Sequence, residues 1–329
     1  MVSDQPKEGM PMTETTKTVF EKYEIRKSRK EKTAFMEYVH SVAADAGYEC
    51  RIEKGYFAAR NIVVGNPDTA KVIYTAHYDT CAVMPFPNFI TPKNVGIYLL
   101  YQILIAVILM TAPILVLSVI FGICYFVSLG GSVEFVIGFL VAPLYYLLLL
   151  LEIFFILAGP ANKHTANDNT SGVTTLLDIM TTLPEDLRGD AAFIFFDLEE
   201  MGLFGSAGYA NKHKAIMKNT LLLNFDCVSD GNTILFALRK GAERYTEVIK
   251  SSFPSTDMLS VDVISKGVFY PSDQANFTRG VGIAALKKTK GGLLYMDRIH
   301  TGRDTVYMEE NIAYLTEGAV RLAESLSEK

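Results

Sequence analysis

Six side chains able to bind a metal or move a proton fall where the chain is expected to turn. His77 ends the β-like run Lys71–His77, Glu199 and Glu200 follow the apolar run Ala191–Phe196 through Asp197-Leu198, and Asp226 closes Leu221–Asp226. Asp168 lies in Asn167-Asp168-Asn169-Thr170-Ser171-Gly172, and His300 in Arg298-Ile299-His300-Thr301. Imidazole and carboxylate are ligand types for Zn²⁺. A carboxylate beside such a centre that is not itself a ligand is a candidate proton acceptor. Singly, each has an ordinary alternative: His77 a satisfied core histidine, Glu199-Glu200 a solvated helix start, Asp226 a turn residue. Together they gain weight, because in open α/β sheets the ligand crevice lies outside the carboxyl ends of the strands, where three of these runs deliver their groups.

The elements that must position them alternate in type. From Glu31 to Ala46, Phe35, Met36, Val39, Val42 and Ala43 recur at spacings of three and four, which predicts an amphipathic helix closed by Gly47. Tyr48–Glu53, Ala59–Val64 and Lys71–His77 read as strands, with Gly65-Asn66-Pro67-Asp68 as a turn. Ser171–Leu183 and Ser206–Lys218 read as helices, and Ala191–Phe196 and Leu221–Phe225 as buried strands. This order predicts an α/β fold with a mostly parallel sheet covered on both faces. Residues 1–30 are polar and charged and read as a tail. HExxH, GxSxG and a Walker-type glycine loop are absent, so zincin, serine-hydrolase and nucleotide-binding readings lack their signatures.

Composition narrows the class further. The 329 residues carry 31 Lys+Arg against 36 Asp+Glu, a net charge of −5, and half are hydrophobic. That balance argues against disorder and against nucleic acid as a partner. Cys50, Cys81, Cys124 and Cys227 are scattered and fit neither a disulfide framework nor a CxxC knuckle, so free thiols and a reducing compartment are expected. The first 35 residues lack an uninterrupted apolar core and do not read as a secretory signal.

One segment departs from the rest. Val95 to Val133 contains no charge over 39 residues, and Phe135 to Leu151 adds 17 more. A bilayer core needs about 20 helical residues, so residues 95–158 are expected to form a transmembrane hairpin turning near Gly130-Gly131. His77 and Asp168 flank the insert and must reach one site, so the number of crossings must be even. Lys93 and Lys163 lie outside the ends while the connecting loop carries only Glu134, which by the positive-inside tendency puts both ends in the cytoplasm.

The ordered set Thr75-Ala76-His77-Tyr78-Asp79-Thr80, Ala166-Asn167-Asp168-Asn169-Thr170-Ser171-Gly172-Val173, Phe196-Asp197-Leu198-Glu199-Glu200-Met201-Gly202-Leu203-Phe204-Gly205-Ser206, Asn224-Phe225-Asp226 and the late His300 resembles the di-zinc aminopeptidase family. That family includes bacterial leucyl aminopeptidases, aminopeptidase Y, glutamate carboxypeptidases and glutaminyl cyclases. The resemblance implies a three-layer α/β/α zinc-exopeptidase fold, formed here as one discontinuous domain from residues 31–94 and 159–329, with the hairpin inserted. It implies two Zn²⁺ ions, with Co²⁺ or Mn²⁺ as possible substitutes. Asp168 would bridge them, Glu200 and His300 would complete one site, and His77 and Asp226 the other. Glu199 would be the general base and Asp79 the carboxylate orienting His77. Three departures stand out: Ser272-Asp273-Gln274 where many relatives have Ser-Asp-His, Phe269 or Tyr270 where a tyrosine often stabilises the oxyanion, and the long interval from Asp79 to Asp168. Tyr270 takes that role here as an expectation.

The expected function is a membrane-anchored, multi-pass zinc exopeptidase acting on peptides, most simply an aminopeptidase using a metal-bridging hydroxide, with residues 95–158 in the lipid bilayer of the cell membrane. The alternatives are a glutaminyl-peptide cyclase, which needs only one zinc, and a non-catalytic membrane binding protein with a peptidase fold.

Overall fold

A computed structural model describes residues 12–128 and 133–328. Residues up to 94 and from 161 onward form one compact unit, and residues 95–160 form a second.

The first unit begins with helices α1 (Glu14–Tyr23) and α2 (Arg29–Asp45), then strands β1 (Cys50–Lys54), β2 (Arg60–Val64) and β3 (Val72–His77). Helices α3 (Val95–Ser128) and α4 (Val133–Ala158) make up the second unit. The first unit resumes with α5 (Gly172–Thr182), β4 (Ala191–Phe196), α6 (Phe204–Lys212), α7 (Lys214–Asn219), β5 (Leu221–Phe225) and β6 (Thr233–Leu238). It ends with α8 (Thr246–Ser252), β7 (Ser260–Ile264), β8 (Gly280–Lys288), β9 (Leu294–Tyr295) and α9 (Glu309–Ser327).

The strands form one mixed sheet in the order β1-β2-β4-β3-β5-β8-β6-β7, with β9 paired to β8. The central strands β4, β3, β5 and β8 run parallel, while β1, β2 and β6 supply antiparallel pairings. Side chains alternate between the sheet's faces. Val72, Tyr74 and Ala76 of β3 and Phe193 and Phe195 of β4 pack with Phe35 of α2, Leu176 of α5 and Leu315 of α9. Ile73, Ile194 and Phe196 join Tyr209 and Ile216, from α6 and α7, in a second core. Both faces are therefore covered, which makes the first unit a three-layer α/β/α fold.

Two local expectations change. Residues 14–23, which fall in the polar stretch 1–30, form α1 because Val19 and Thr16 are buried against the domain and Thr13 caps the helix. Just beyond, Arg26 is fully buried and donates to the carbonyls of Tyr78 (2.6 Å) and Tyr23 (2.6 Å). The single helix expected over Ser206–Lys218 breaks at His213, whose ring stacks on Tyr209 and whose Nε2 lies 2.8 Å from Glu53 Oε2.

In the second unit, Val95–Ile123 and Leu140–Ala158 are long and apolar enough to cross a membrane. Exposed Ile114, Leu115 and Val116 are consecutive, and successive helical positions point about 100° apart, so apolar side chains surround α3 rather than forming one stripe. Tyr145 donates to the carbonyl of Met110 at 3.3 Å across the helix pair. The expected turn at Gly130-Gly131 lies outside the described residues.

Candidate metal centre

Strand register brings the predicted ligands together. His77 is paired with Phe196, so Asp197-Leu198-Glu199-Glu200 begins where β3 ends. Thr75 is paired with Asn224, which sets Asp226 level with His77 on the neighbouring strand. Asp168 enters from the irregular turn before α5, and His300 from the loop before α9.

That turn is held by its asparagines. Asn169 Oδ1 accepts the N–H groups of Gly172 (3.0 Å) and Cys227 (3.2 Å), and its Nδ2 donates to the carbonyl of Phe225 (3.0 Å). Asn167 Oδ1 accepts from Ser229 (2.8 Å) and Asp230 (3.0 Å). Gly172 has no substitute, since a Cβ there would lie 2.3 Å from the Phe225 oxygen. Asp304, which no sequence pattern marked, accepts the backbone N–H groups of Asn167 and Asp168, each at 2.9 Å.

Asp168 divides its carboxylate between two imidazoles. Its Oδ1 lies 3.3 Å from His77 Nε2 and its Oδ2 lies 3.1 Å from His300 Nε2. His77 Nε2 also faces Asp226 Oδ1 at 3.4 Å, and His300 Nε2 faces Glu200 Oε2 at 3.2 Å. The other oxygen of Glu200 is buried with no hydrogen-bond partner. Glu199 joins His77 and Glu200 in a second cluster of possible ligand atoms.

The two remaining site residues are placed differently from expectation. The contact nearest to His77 Nδ1 is the backbone carbonyl of Asp79 at 3.1 Å, while the Asp79 carboxylate is 3.8 Å away. A carbonyl can only accept, so Nδ1 carries a proton and Nε2 is the nitrogen turned to Asp168 and Asp226. The Asp79 carboxylate instead accepts the N–H groups of Glu199 (3.0 Å) and Glu200 (3.3 Å), fixing the segment that carries both glutamates. Tyr270 lines the cavity, but its hydroxyl donates to the carbonyl of Asp226 at 2.9 Å, so that proton props the Asp226 backbone. Gln274 bridges Asn224 and the Tyr270 carbonyl.

Electrostatics match this crowding. Burial pushes Glu199 well above the usual carboxylate range, with Glu200 and Asp226 adding to the rise against the opposing pull of His77. Burial, followed by the nearby Asp168 charge, raises Glu200 to about 8 although His300 opposes it. Burial opposes charge on His300, but Glu200 and Asp168 outweigh it and raise the imidazole to about 9. Asp168 moves the other way: burial would raise it, yet its bonds to His300 and His77 hold it well below the usual range.

Lone-pair donors aimed at one another, one of them an orphaned carboxylate oxygen, fit divalent cations held in place of those protons. The donor types, imidazole nitrogen and carboxylate oxygen, suit zinc. The centre floors a cavity of about 220 Å³ whose walls include Asn88, Ile90, Tyr270 and Ile299.

The chain matches the model of peptidase family M28 over residues 155–319, half of its length, a span containing Asp168, Glu199, Glu200, Asp226 and His300. Among solved structures, it resembles the glutaminyl cyclase of Porphyromonas gingivalis, with a TM-score of 0.57 and 13% identity over 94% of this chain and 96% of that one. A leucine aminopeptidase precursor from Bacteroides thetaiotaomicron gives a TM-score of 0.51 at 13% identity, covering 94% of this chain and 93% of its own. A Zn-dependent exopeptidase from Parabacteroides distasonis gives 0.51 at 14% identity, covering 95% and 98%. At these identities the likeness shows the fold. No curated protein matches the sequence. The family match and the shared fold together establish that this chain belongs to peptidase family M28 and is a metallopeptidase.

Proposed function

We propose that the protein is a membrane-anchored aminopeptidase that holds two zinc ions between His77, Asp168 and Asp226 on one side and Asp168, Glu200 and His300 on the other. The observation carrying this reading is the division of Asp168 between two imidazoles, each also facing a second carboxylate. When bound, paired cations polarise a scissile carbonyl and lower the pKa of the attacking water. Glu199 then accepts a proton from that water and returns it to the departing amine. Asp79 fixes the Glu199-Glu200 backbone, and Tyr270 fixes that of Asp226.

Recognition of a free amine fits the lining. Among the described residues, no Lys or Arg lines the cavity, while Asp168, Glu199, Glu200 and Asp226 do. With Asp168, Glu200 and Asp226 engaged by the cations, Glu199 is the lining carboxylate left to meet an ammonium group, and a substrate carboxylate would find no Lys or Arg among the described lining residues. Membrane anchoring rests on α3 and α4, whose length and apolar surface suit two crossings. Lys93 and Lys163 favour a cytoplasmic catalytic domain by the positive-inside tendency.

The test combines metal analysis with a panel of free and N-acetylated peptides on the full chain in detergent. Two zinc ions per chain and cleavage restricted to free amines are expected. One ion with cyclisation of glutaminyl peptides would replace this reading with the cyclase, and no metal-dependent hydrolysis would leave a binding protein. Glu199→Gln should retain both metals and lose about 10²–10⁴ in kcat. Full turnover in that variant would remove Glu199 from the proposed role.

A further inference from the structure

We propose that Cys81 is an additional ligand of the cation held by Glu200 and His300, an inference that rests on the two-cation reading above. The sulfur of Cys81, a carboxylate oxygen of Glu200 and a ring nitrogen of His300 all lie within 4.8 Å of one another. Cys81 is a free thiol, 4% exposed. A buried cysteine alone would mean little. Here it lies beside a Glu200 side chain that is 8% exposed and has a buried, unpartnered oxygen.

The backbone holds this sulfur in place from both sides. Asp79, two residues earlier, bonds to the N–H groups of Glu199 and Glu200. The carbonyl of Cys81 accepts from Asn162 at 3.1 Å, and Ala82 pairs with Ala161. The segments bearing Cys81 and Glu200 are thus tied together independently of any metal. Cys227 is the internal contrast: its sulfur donates to Asp226 Oδ1 at 3.1 Å, and it belongs to no candidate ligand cluster among the described residues.

Coordination would require Cys81 to release its proton to solvent and bind as the thiolate. Asp168, Glu200 and Asp226 supply three negative charges against the four positive charges of two divalent ions, so before any hydroxide forms the set carries a net positive charge that favours the thiolate form of a nearby sulfur. Sulfur also makes this half of the centre softer, favouring Zn²⁺ and Co²⁺ over Mn²⁺.

Metal-free full-length protein, reloaded with Co²⁺, should show a near-ultraviolet thiolate-to-cobalt charge-transfer band that disappears in Cys81→Ser and persists in Cys227→Ser. The zinc-loaded wild type should show one sulfur neighbour at about 2.3 Å by X-ray absorption. This second measurement decides the matter even if Cys81→Ser fails to fold. Two bound metals with only nitrogen and oxygen neighbours, or a band lost in Cys227→Ser instead, would overturn the assignment. Metal stoichiometry reads the two-cation proposal separately, so failure of either idea is distinguishable from failure of the other.

Discussion

Asp304 contacts no candidate metal position through its own oxygens, yet it governs how Asp168 is presented. Both oxygens accept backbone N–H groups, from Asn167 and Asp168, each at 2.9 Å. Replacing it with Asn turns one acceptor into an NH₂ group facing a backbone donor. Asp304→Asn is therefore expected to weaken zinc binding about 10–100-fold. Because Asp304 positions rather than reacts, saturating zinc should restore most of kcat. A chelator-competition titration and kcat at saturating zinc check both halves; unchanged zinc affinity would show that Asp304 does not position Asp168. The contrast with His77, Asp168, Glu200, Asp226 and His300 explains what was legible beforehand. Those residues have ligand chemistry and fall at predicted strand ends or in a recognisable motif. Asp304 acts through two backbone donors about 136 positions away, and Thr301-Gly302-Arg303-Asp304 has no periodicity that announces such a partner. Asp79 shows a second kind of gap: two positions from His77, its carboxylate lies 3.8 Å from the ring and also reaches the N–H groups of Glu199 and Glu200, about 120 positions on, which no local spacing announces.

At the level of elements, β3, β4 and β5 are readable because they are largely apolar runs buried along their whole length. The apolar run Ala191–Phe196 coincides residue for residue with β4, since burial on both faces removes the polar alternation that blurs a strand's ends. The later strands β6–β9 and helices α8 and α9 were not assigned from sequence. Edge strand β7 has mixed burial, and β9 contains only two residues, leaving little local pattern to read. Helix α5 also carries a consequence of placement that sequence alone does not expose. Asp178 is 8% exposed, and burial raises its carboxyl to about 6 although Thr13 donates to it at 3.1 Å. Its folded pKa lies above the unfolded value of 3.8, so the folded state favours the neutral acid. The associated stability is fully present below about pH 4 and is lost as pH rises to about 6. Asp178→Asn keeps an acceptor for Thr13 and abolishes the ionisation. It should stabilise the protein at pH 7 by on the order of 2 kcal/mol, with no comparable gain at pH 4. Thermal unfolding of the zinc-loaded chain at the two pH values checks this; equal gains at both would assign the effect to something other than Asp178 ionisation.

At the level of the whole molecule, the division into two units has a direct experimental consequence. The peptidase unit has its own two-faced core and its own centre, built from residues up to 94 and from 161 onward. The insert exposes Leu99, Leu100, Ile103, Leu115, Val119 and Leu150 among many apolar side chains, far more than a soluble surface tolerates. If lipid covers that surface, membrane attachment belongs to residues 95–158 and catalysis does not. Replacing Val95–Ala158 with a flexible Gly/Ser linker of about 15 residues should release the protein into the soluble fraction without detergent. The shortened chain should still bind two zinc ions and cleave a short soluble peptide with kcat within about tenfold of the full chain, a loss of no more than about 1.4 kcal/mol in the barrier. Fractionation after an alkaline wash, zinc content and peptide turnover measure the three expectations independently. Retention in the membrane fraction despite the deletion would move the anchor elsewhere. Loss of zinc from a folded, soluble product would show that the insert is needed to complete the peptidase unit.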